Sequence, residues 1–121
     1  GAISVAEPKL KIDIYLGIGG GPEGVLAAAA LSCLDCQMQS RLVFQNNEEK
    51  DKAKQVGILN LNKKYNIKDM IMDDVIFCAT GVTDGDFVNG IKDLDDYFSA
   101  ETLVLHKESK TKKILKNKIK K

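Results

Sequence analysis

The sequence predicts an α/β fold in which helices cover a mixed sheet. β-branched and aromatic runs alternate with helical segments in the first half of the chain, and one of these helical segments is apolar on nearly all sides. Two strand patterns then follow each other directly near the end of the chain. With 121 residues, of which 44% are apolar, the chain can bury one modest core, so we expect a single α/β lobe over residues 1–121.

The first elements are predicted from local patterns. Residues 3–10 are expected to form a short helix or loop, and residues 11–18 (KIDIYLGI) a strand, because β-branched and aromatic side chains partly alternate there. Three glycines make a turn after this strand, and Pro22 suits the first position of a helix that continues to about Leu34. Because this helix is apolar nearly all round, we expect it to pack against a sheet.

The later elements follow from capping and turn residues. Asn46 or Asn47 is expected to cap a second helix, which Gly57 ends. Shorter helical turns are expected around residues 68–72 and 86–92. The remaining predicted strands share short β-branched or apolar runs and are residues 41–44, 74–79, 102–106 and 111–119.

The net charge of +1 hides a split along the chain. Residues 107–121 carry eight lysines and one glutamate, a balance of +7, which leaves −6 for residues 1–106. Such a tail can bind nucleic acid, but Ile114, Leu115 and Ile119 interrupt the charges and no aromatic side chain is present to stack on bases. We therefore interpret residues 107–121 as a lysine-rich final strand and tail, and expect no nucleic-acid partner.

The rest of the composition predicts neither a membrane-spanning segment nor a metal site built from cysteine thiolates. No apolar run reaches the ~20 residues of a membrane span, and no signal-peptide pattern opens the chain. Cys33 and Cys36 form one Cys-x-x-Cys pair, but the remaining cysteine is Cys78 and the single histidine is His106, so a four-ligand zinc site lacks ligands. We expect buried or incidental thiols in a reducing cytoplasm.

The most informative segment is a glycine-rich turn before the apolar helix. Gly19, Gly21 and Gly24 form a literal G-x-G-x-x-G after a predicted strand, the context of a dinucleotide-binding turn. Glu48 and Glu49 follow at about the distance at which an acidic residue reaches a ribose. A non-catalytic nucleotide-binding module is therefore one reading of this turn.

The charge at the start of the helix favours a different reading. Pro22 removes a donor and Glu23 adds a negative charge where a pyrophosphate would lie. At ~4 Å a carboxylate and a phosphate repel by about 4 kcal/mol at an effective dielectric of 20, whereas the helix dipole returns only about 0.3–1 kcal/mol. A divalent cation between the two turns repulsion into attraction, so Glu23 is a candidate ligand of Mg²⁺ or Mn²⁺ beside a phosphate. A solvated first-turn glutamate among ordinary turn glycines remains the alternative.

Three segments resemble a known family in order and spacing. LGIGGGPEGVLAAAAL, DVIFCATGVTDGDFVNGI and ETLVLHKESKTKK are similar to the carboxy-terminal part of class II, GlpX-type fructose-1,6-bisphosphatases, and the resemblance covers about residues 12–114. It implies one lobe of the layered α/β sandwich of metal-dependent sugar and inositol phosphatases. It also implies hydrolysis of fructose 1,6-bisphosphate to fructose 6-phosphate and phosphate in gluconeogenesis, with sedoheptulose 1,7-bisphosphate as a further substrate of some members.

The resemblance also implies site residues and partners. Glu23 matches a metal ligand for Mg²⁺ or Mn²⁺, and Gly20 a position against substrate, with Gly21 beside it where relatives often carry alanine. Family members are longer, and the other metal ligands lie in a part that precedes the matched stretch. We therefore expect a carboxy-terminal portion that is inactive alone, in a cytoplasmic enzyme that forms a homo-oligomer.

Four further residues are left with two readings each. Asp84 and Asp86 are either a cation loop or a turn in which Asp caps a helix, and the turn is favoured because no Glu follows at the twelfth position. Arg41 either binds a phosphate or is a surface residue of an edge strand, and we favour the second interpretation. His106 has no serine in a nucleophile elbow to work with, so we expect a partly buried or edge histidine.

Overall fold

The computed structural model describes all residues, Gly1–Lys121. Two 3-10 turns, Ala2–Ala6 and Pro8–Leu10, open the chain where a short helix or loop was expected. The helices are α1 (Gly21–Cys33), α2 (Asn47–Gln55) and α3 (Ile67–Met70). The strands are β1 (Gln39–Arg41), β2 (Lys64–Asn66), β3 (Ile76–Thr80), β4 (Lys92–Asp93), β5 (Tyr97–His106) and β6 (Thr111–Lys120).

Strand β5 organises the main sheet. β6 pairs along its whole length on one edge, while β3 and β4 pair with opposite ends of its other edge. A separate two-stranded sheet joins β1 to β2. The α/β class is confirmed, but the expectation of a mixed sheet is wrong, because every pairing is antiparallel. The main sheet is built only from strands after residue 75, and antiparallel neighbours need no helical crossover between them.

The core lies between α1 and one face of the main sheet. Leu103 and Leu105 of β5 are fully buried against Ala30 and Cys33 of α1. The buried alanines of α1 let the helix backbone approach the sheet closely, which confirms that this apolar helix packs on a sheet. On the opposite face of β3 the side chain of Ile76 remains exposed, so helices cover only one face of this sheet.

Two predicted elements are absent from the structure, and tertiary contacts explain each absence. Residues 11–18 form no strand, because no neighbouring strand offers hydrogen bonds to them. Residues 86–92 form no helix, because the loop from Gly81 to Ile91 is tied down at both ends. Near one end Gly81 donates to the backbone of Glu101 at 3.0 Å, and near the other Ile91 donates to Val82 at 3.2 Å.

Several elements agree with the sequence-based expectations. The Asn46 side chain accepts a hydrogen bond from the Glu49 amide at 2.9 Å and so caps α2, and Gly57 follows that helix with a positive φ of 91°. The strand predicted at residues 41–44 is wrong in its bounds, because the pairing with β2 covers Gln39–Arg41 and residues 42–44 lie outside any strand. No helix in this chain combines the length and the apolarity that crossing a bilayer requires.

The 81–91 loop explains one of the two ambiguous aspartates. Asp84 Oδ1 accepts a hydrogen bond from the Gly90 amide at 2.8 Å, so this carboxylate closes the loop and caps no helix. Gly90 is buried, and a Cβ added there would lie only 2.6–2.8 Å from backbone atoms of Thr83 and Asp84. Backbone atoms cannot give way as a flexible side chain can, so the loop requires glycine at this position.

Replacing Gly90 with alanine is expected to destabilise the protein by about 1–3 kcal/mol, because the new methyl group overlaps the backbone of Thr83. Urea unfolding followed by circular dichroism measures this change. Gly85→Ala is the matched control in the same loop, since a Cβ at Gly85 meets only an ordinary contact at 3.9 Å. Equal stability of the two variants would contradict the tight packing at Gly90.

Candidate functional site

The glycine-rich turn ends at the first residue of α1. Gly20 is the N-cap residue, with φ −67° and ψ 154°, and its carbonyl accepts the hydrogen bond of the Gly24 amide at 3.0 Å. Pro22 was expected at the first helical position and is the second residue of α1, which begins at Gly21. The amides of Gly20, Gly21 and Glu23 donate to no group of the protein. Free donors therefore converge at the beginning of this helix.

The side chain of Glu23 folds back over this turn. Its Oε2 atom lies so close to the position of a Cβ on Gly20 that the two would clash, so the absence of a side chain at Gly20 lets the carboxylate lie there. Glu23 is exposed and forms no ion pair and no side-chain hydrogen bond. The structure thus brings together Gly20 and Glu23, two of the residues that the sequence singled out, and places Gly21 between them in the chain.

The same geometry speaks against a dinucleotide-binding turn. The third glycine of that fingerprint allows close packing of the helix on its strand, but a Cβ at Gly24 would meet nothing within 4 Å. The acidic pair offered for a ribose is also engaged elsewhere. Glu48 forms an ion pair with Lys52 at 2.7 Å, and Glu49 accepts a hydrogen bond from the Gln45 amide at 2.7 Å.

The other candidate residues do not join this site. Arg41 ends the edge strand β1, Asp84 closes the 81–91 loop, and Asp86 is exposed beside a shallow cavity of about 250 Å³. None of the three forms a hydrogen bond or an ion pair with Glu23. No group of three potential metal ligands includes Glu23 either. Within this chain, Glu23 stands as a single carboxylate at the turn.

A hydrogen-bonded cluster that the sequence reasoning missed surrounds His106. His106 Nε2 lies 2.6 Å from Asp74 Oδ2, and its Nδ1 lies 2.7 Å from Ser109 Oγ. The hydrogen bond with His106 holds the pKa of Asp74 below its usual range. The side chains of Asp74, His106 and Glu108 offer potential metal-ligand atoms within 4.8 Å of one another. The cluster forms because the antiparallel pairing of β3 with β5 places Ile76 opposite His106. The residue pattern of either strand alone does not reveal this pairing.

This cluster and Glu23 lie at opposite ends of α1. Cys33, the last residue of α1, donates through its thiol to the Val75 carbonyl at 3.8 Å, next to Asp74. Burial raises the pKa of that thiol. A helix of 13 residues spans about 20 Å, so the carboxylate of Asp74 cannot share a metal ion with Glu23. Asp74 forms hydrogen bonds with His106 and with the Glu108 amide, and so connects the start of β3 to the β5–β6 hairpin. This structural role explains its position without a metal ion.

Comparison with known proteins decides the family. Residues 1–119 match the family described as bacterial fructose-1,6-bisphosphatase, glpX-encoded. The chain belongs to this family. It is 33% identical to the fructose-1,6-bisphosphatase class 2 of Haemophilus influenzae, with 92% of this chain and 37% of that protein aligned. It is 32% identical to a D-fructose 1,6-bisphosphatase class 2/sedoheptulose 1,7-bisphosphatase of a Synechococcus strain, with 91% and 35% aligned.

The class 2 relatives are phosphatases, and they are much longer than this chain. The chain spans little more than a third of their length, and the matched stretch is a carboxy-terminal portion of them. All three segments that carried the resemblance lie inside the family match. The turn from Gly20 to Glu23, the 81–91 loop and the β5–β6 hairpin are therefore parts of a class 2 fructose-1,6-bisphosphatase framework.

A buried carboxylate in this class 2 framework also escaped the sequence reasoning. Glu101 is only 9% exposed and accepts two hydrogen bonds from Asn89, through its backbone and side-chain amides, each at 2.9 Å. Lys116 of β6 adds an ion pair at 3.1 Å. These partners lower the pKa of Glu101 from 4.5 to about 2, with the backbone amide of Asn89 as the largest cause. Glu101 thus fastens the 81–91 loop to the sheet.

Replacing Glu101 with glutamine is expected to lower the thermal midpoint at neutral pH by a few degrees, since the amide cannot keep the charge-assisted contacts. Because the folded pKa lies below the unfolded one, the stabilisation by Glu101 is complete above about pH 4.5 and disappears as the pH falls through about 2. The gap between wild type and variant should therefore close with acidification. Thermal unfolding across this pH range measures it, with Glu48→Gln on the surface of α2 as control. A gap that does not depend on pH would contradict the assigned role.

Proposed function

We propose that this chain forms part of a metal-dependent sugar-bisphosphate phosphatase that converts fructose 1,6-bisphosphate and water to fructose 6-phosphate and phosphate, a step of gluconeogenesis. The observation that carries the proposal is the turn from Gly20 to Glu23. There an unpaired carboxylate lies over backbone amides that have no partner in the protein. Membership of the class 2 fructose-1,6-bisphosphatase family supports the choice of substrate.

Glu23 fits a hard divalent cation. It offers exposed carboxylate oxygens with no competing lysine or arginine, and Mg²⁺ and Mn²⁺ take such oxygens together with those of phosphate. When bound, such an ion lowers the pKa of a water molecule and neutralises charge on the phosphoryl oxygens. The chain itself contributes the carboxylate of Glu23 and the amides of Gly20 and Gly21, which we propose donate to substrate oxygens.

One carboxylate is too little for this reaction. Phosphate monoesters are hydrolysed with two metal ions in many phosphatases, and Glu23 cannot hold two ions alone. We propose that an amino-terminal portion of the class 2 enzyme supplies the other ligands and completes the layered sandwich, to which residues 1–121 add one α/β lobe. We also propose that the complete enzyme is a homo-oligomer in a reducing cytoplasm. The three free cysteines support the reducing environment.

Release of phosphate tests this function. The chain alone is expected to release no phosphate from fructose 1,6-bisphosphate above the buffer rate with Mn²⁺ or Mg²⁺ present. Mixed with the amino-terminal portion of the Haemophilus influenzae relative, it should release phosphate, and EDTA should abolish the activity. Substantial turnover by the chain alone would overturn the need for further ligands. Activity that survives EDTA would overturn the metal.

A further inference from the structure

A segment before the glycine-rich turn has no partner in this fold. From Ile12 to Gly19 no backbone amide or carbonyl forms a hydrogen bond with any other group of the protein. Solvent-exposed loops often leave such groups to water, but this segment is not polar. Ile14 is 75% exposed, and Leu16 and Ile18 are about 90% exposed. Unpaired backbone groups and bare aliphatic side chains therefore occur on the same eight residues.

The side-chain pattern is that of a strand waiting for a sheet. In an extended chain alternate residues share one face, and the even positions here are Ile12, Ile14, Leu16 and Ile18. On the other face, the Tyr15 ring lies against Gly17, two residues further on, and against Gly1. One face is thus aliphatic throughout, and the other is partly occupied by Tyr15. β-branched residues with period-two alternation are typical of half-buried strands.

We propose that residues 12–19, the docking segment, add as a strand to a sheet in the amino-terminal portion of a class 2 fructose-1,6-bisphosphatase. That portion is the partner because the aligned stretch leaves the larger part of each relative without a counterpart in this chain. β-Strand addition satisfies backbone groups along the segment and buries its aliphatic face. It also fixes the turn that follows directly, and with it Gly20 and Glu23.

A second copy of this chain fits the docking segment less well. It would bring only an identical segment, and a two-stranded ribbon would keep its aliphatic face in water. An existing sheet of the partner offers both a hydrogen-bonding edge and a surface against which Ile14, Leu16 and Ile18 pack. The inference rests on the family membership and on the unpaired segment, and it does not require Glu23 to bind metal.

Co-purification with hydrogen exchange tests the docking segment. The chain is co-expressed with a tagged amino-terminal portion of the Haemophilus influenzae relative, chosen once that portion has been shown to bind its own carboxy-terminal stretch. All buffers contain EDTA, so the outcome is independent of any metal at Glu23. We expect capture of the chain, and at least a 100-fold slowing of amide exchange in residues 12–19 relative to the chain alone.

Two variants with similar exposure provide the internal control. Leu16→Lys should weaken capture by at least tenfold, whereas Leu59→Lys, at a residue 82% exposed outside the docking segment, should leave it unchanged. Both variants should fold as the wild type does, because neither side chain is buried. No capture, capture without protection of residues 12–19, or protection already present in a dimer of the chain alone would each overturn the proposal. Capture and protection without any phosphatase activity would support the docking segment and contradict the proposed function alone.

Discussion

Replacing Glu23 with glutamine is expected to lower the turnover of fructose 1,6-bisphosphate by about 10²- to 10³-fold in the complex with the amino-terminal portion. A metal ion supplies several kcal/mol of charge stabilisation in phosphoryl transfer, and each 1.36 kcal/mol is a factor of ten in rate. Glutamine keeps the size of the side chain but removes the charge that holds the cation. Because Glu23 forms no hydrogen bond or ion pair in the fold, the thermal midpoint should fall by only a few degrees, from the lost interaction with the helix dipole, and Glu48→Gln in the first turn of α2 should lose a similar amount.

Steady-state kinetics over a range of Mn²⁺ concentrations, together with calorimetric Mn²⁺ binding, measure the Glu23 effect. Glu48→Gln is the matched control, because Glu48 is an exposed glutamate in the first turn of another helix and pairs only with Lys52. Unchanged turnover of the Glu23 variant at saturating metal would refute the assignment of Glu23 as a metal ligand. A loss of turnover with no change in Mn²⁺ affinity would point away from metal binding as its role.

The second large effect is expected at Gly20, where a methyl group would clash with a carboxylate oxygen of Glu23. Gly20→Ala displaces the Glu23 side chain from the turn, and we expect turnover to fall by about 10- to 100-fold, as for lost outer-shell positioning of a metal ligand. The fold should survive, since the displaced atoms are the end of a flexible, exposed side chain. Kinetics and Mn²⁺ binding are measured as for Glu23.

Gly24→Ala provides the comparison next to the same turn. A Cβ at Gly24 meets nothing within 4 Å and its φ is not positive, so alanine there should leave turnover within about twofold. An equal loss of turnover in Gly20→Ala and Gly24→Ala would contradict a specific role for the position of Glu23 over Gly20. The contrast between the two glycines separates the geometry of the carboxylate from a general need for glycine.

Local signals predicted the parts of the fold that local contacts decide. Pro22 and the apolar run after it predicted α1, and Asn46 predicted the start of α2. The apolar runs at residues 102–106 and 111–119 predicted two consecutive strands, which the structure pairs as β5 and β6. The sequence also singled out the turn from Gly20 to Glu23, because its charge is unusual for an anion site, and the role of these residues in binding stays a prediction.

The features that sequence analysis did not predict depend on contacts between residues that are distant in the chain. Residues 11–18 have the pattern of a strand, yet a strand forms only where a neighbour offers hydrogen bonds. Asp84 suggested a helix cap, but the close packing of Gly90 directs its carboxylate to a loop amide. The tie between Asp74 and His106 depends on the register of two strands about 30 residues apart, which no single-strand pattern contains.

The lysine-rich strand β6 has a consequence for how the protein meets other charged molecules. Four lysines of the last 15 residues pair with carboxylates of the acidic remainder: Lys110 with Asp35, Lys112 with Glu7, Lys116 with Glu101 and Lys121 with Asp93. The final segment, residues 107–121, therefore supplies cations that neutralise carboxylates of its own chain. A polyanion approaching this edge competes with those intramolecular partners, and raising the ionic strength loosens the edge before it disturbs the apolar core.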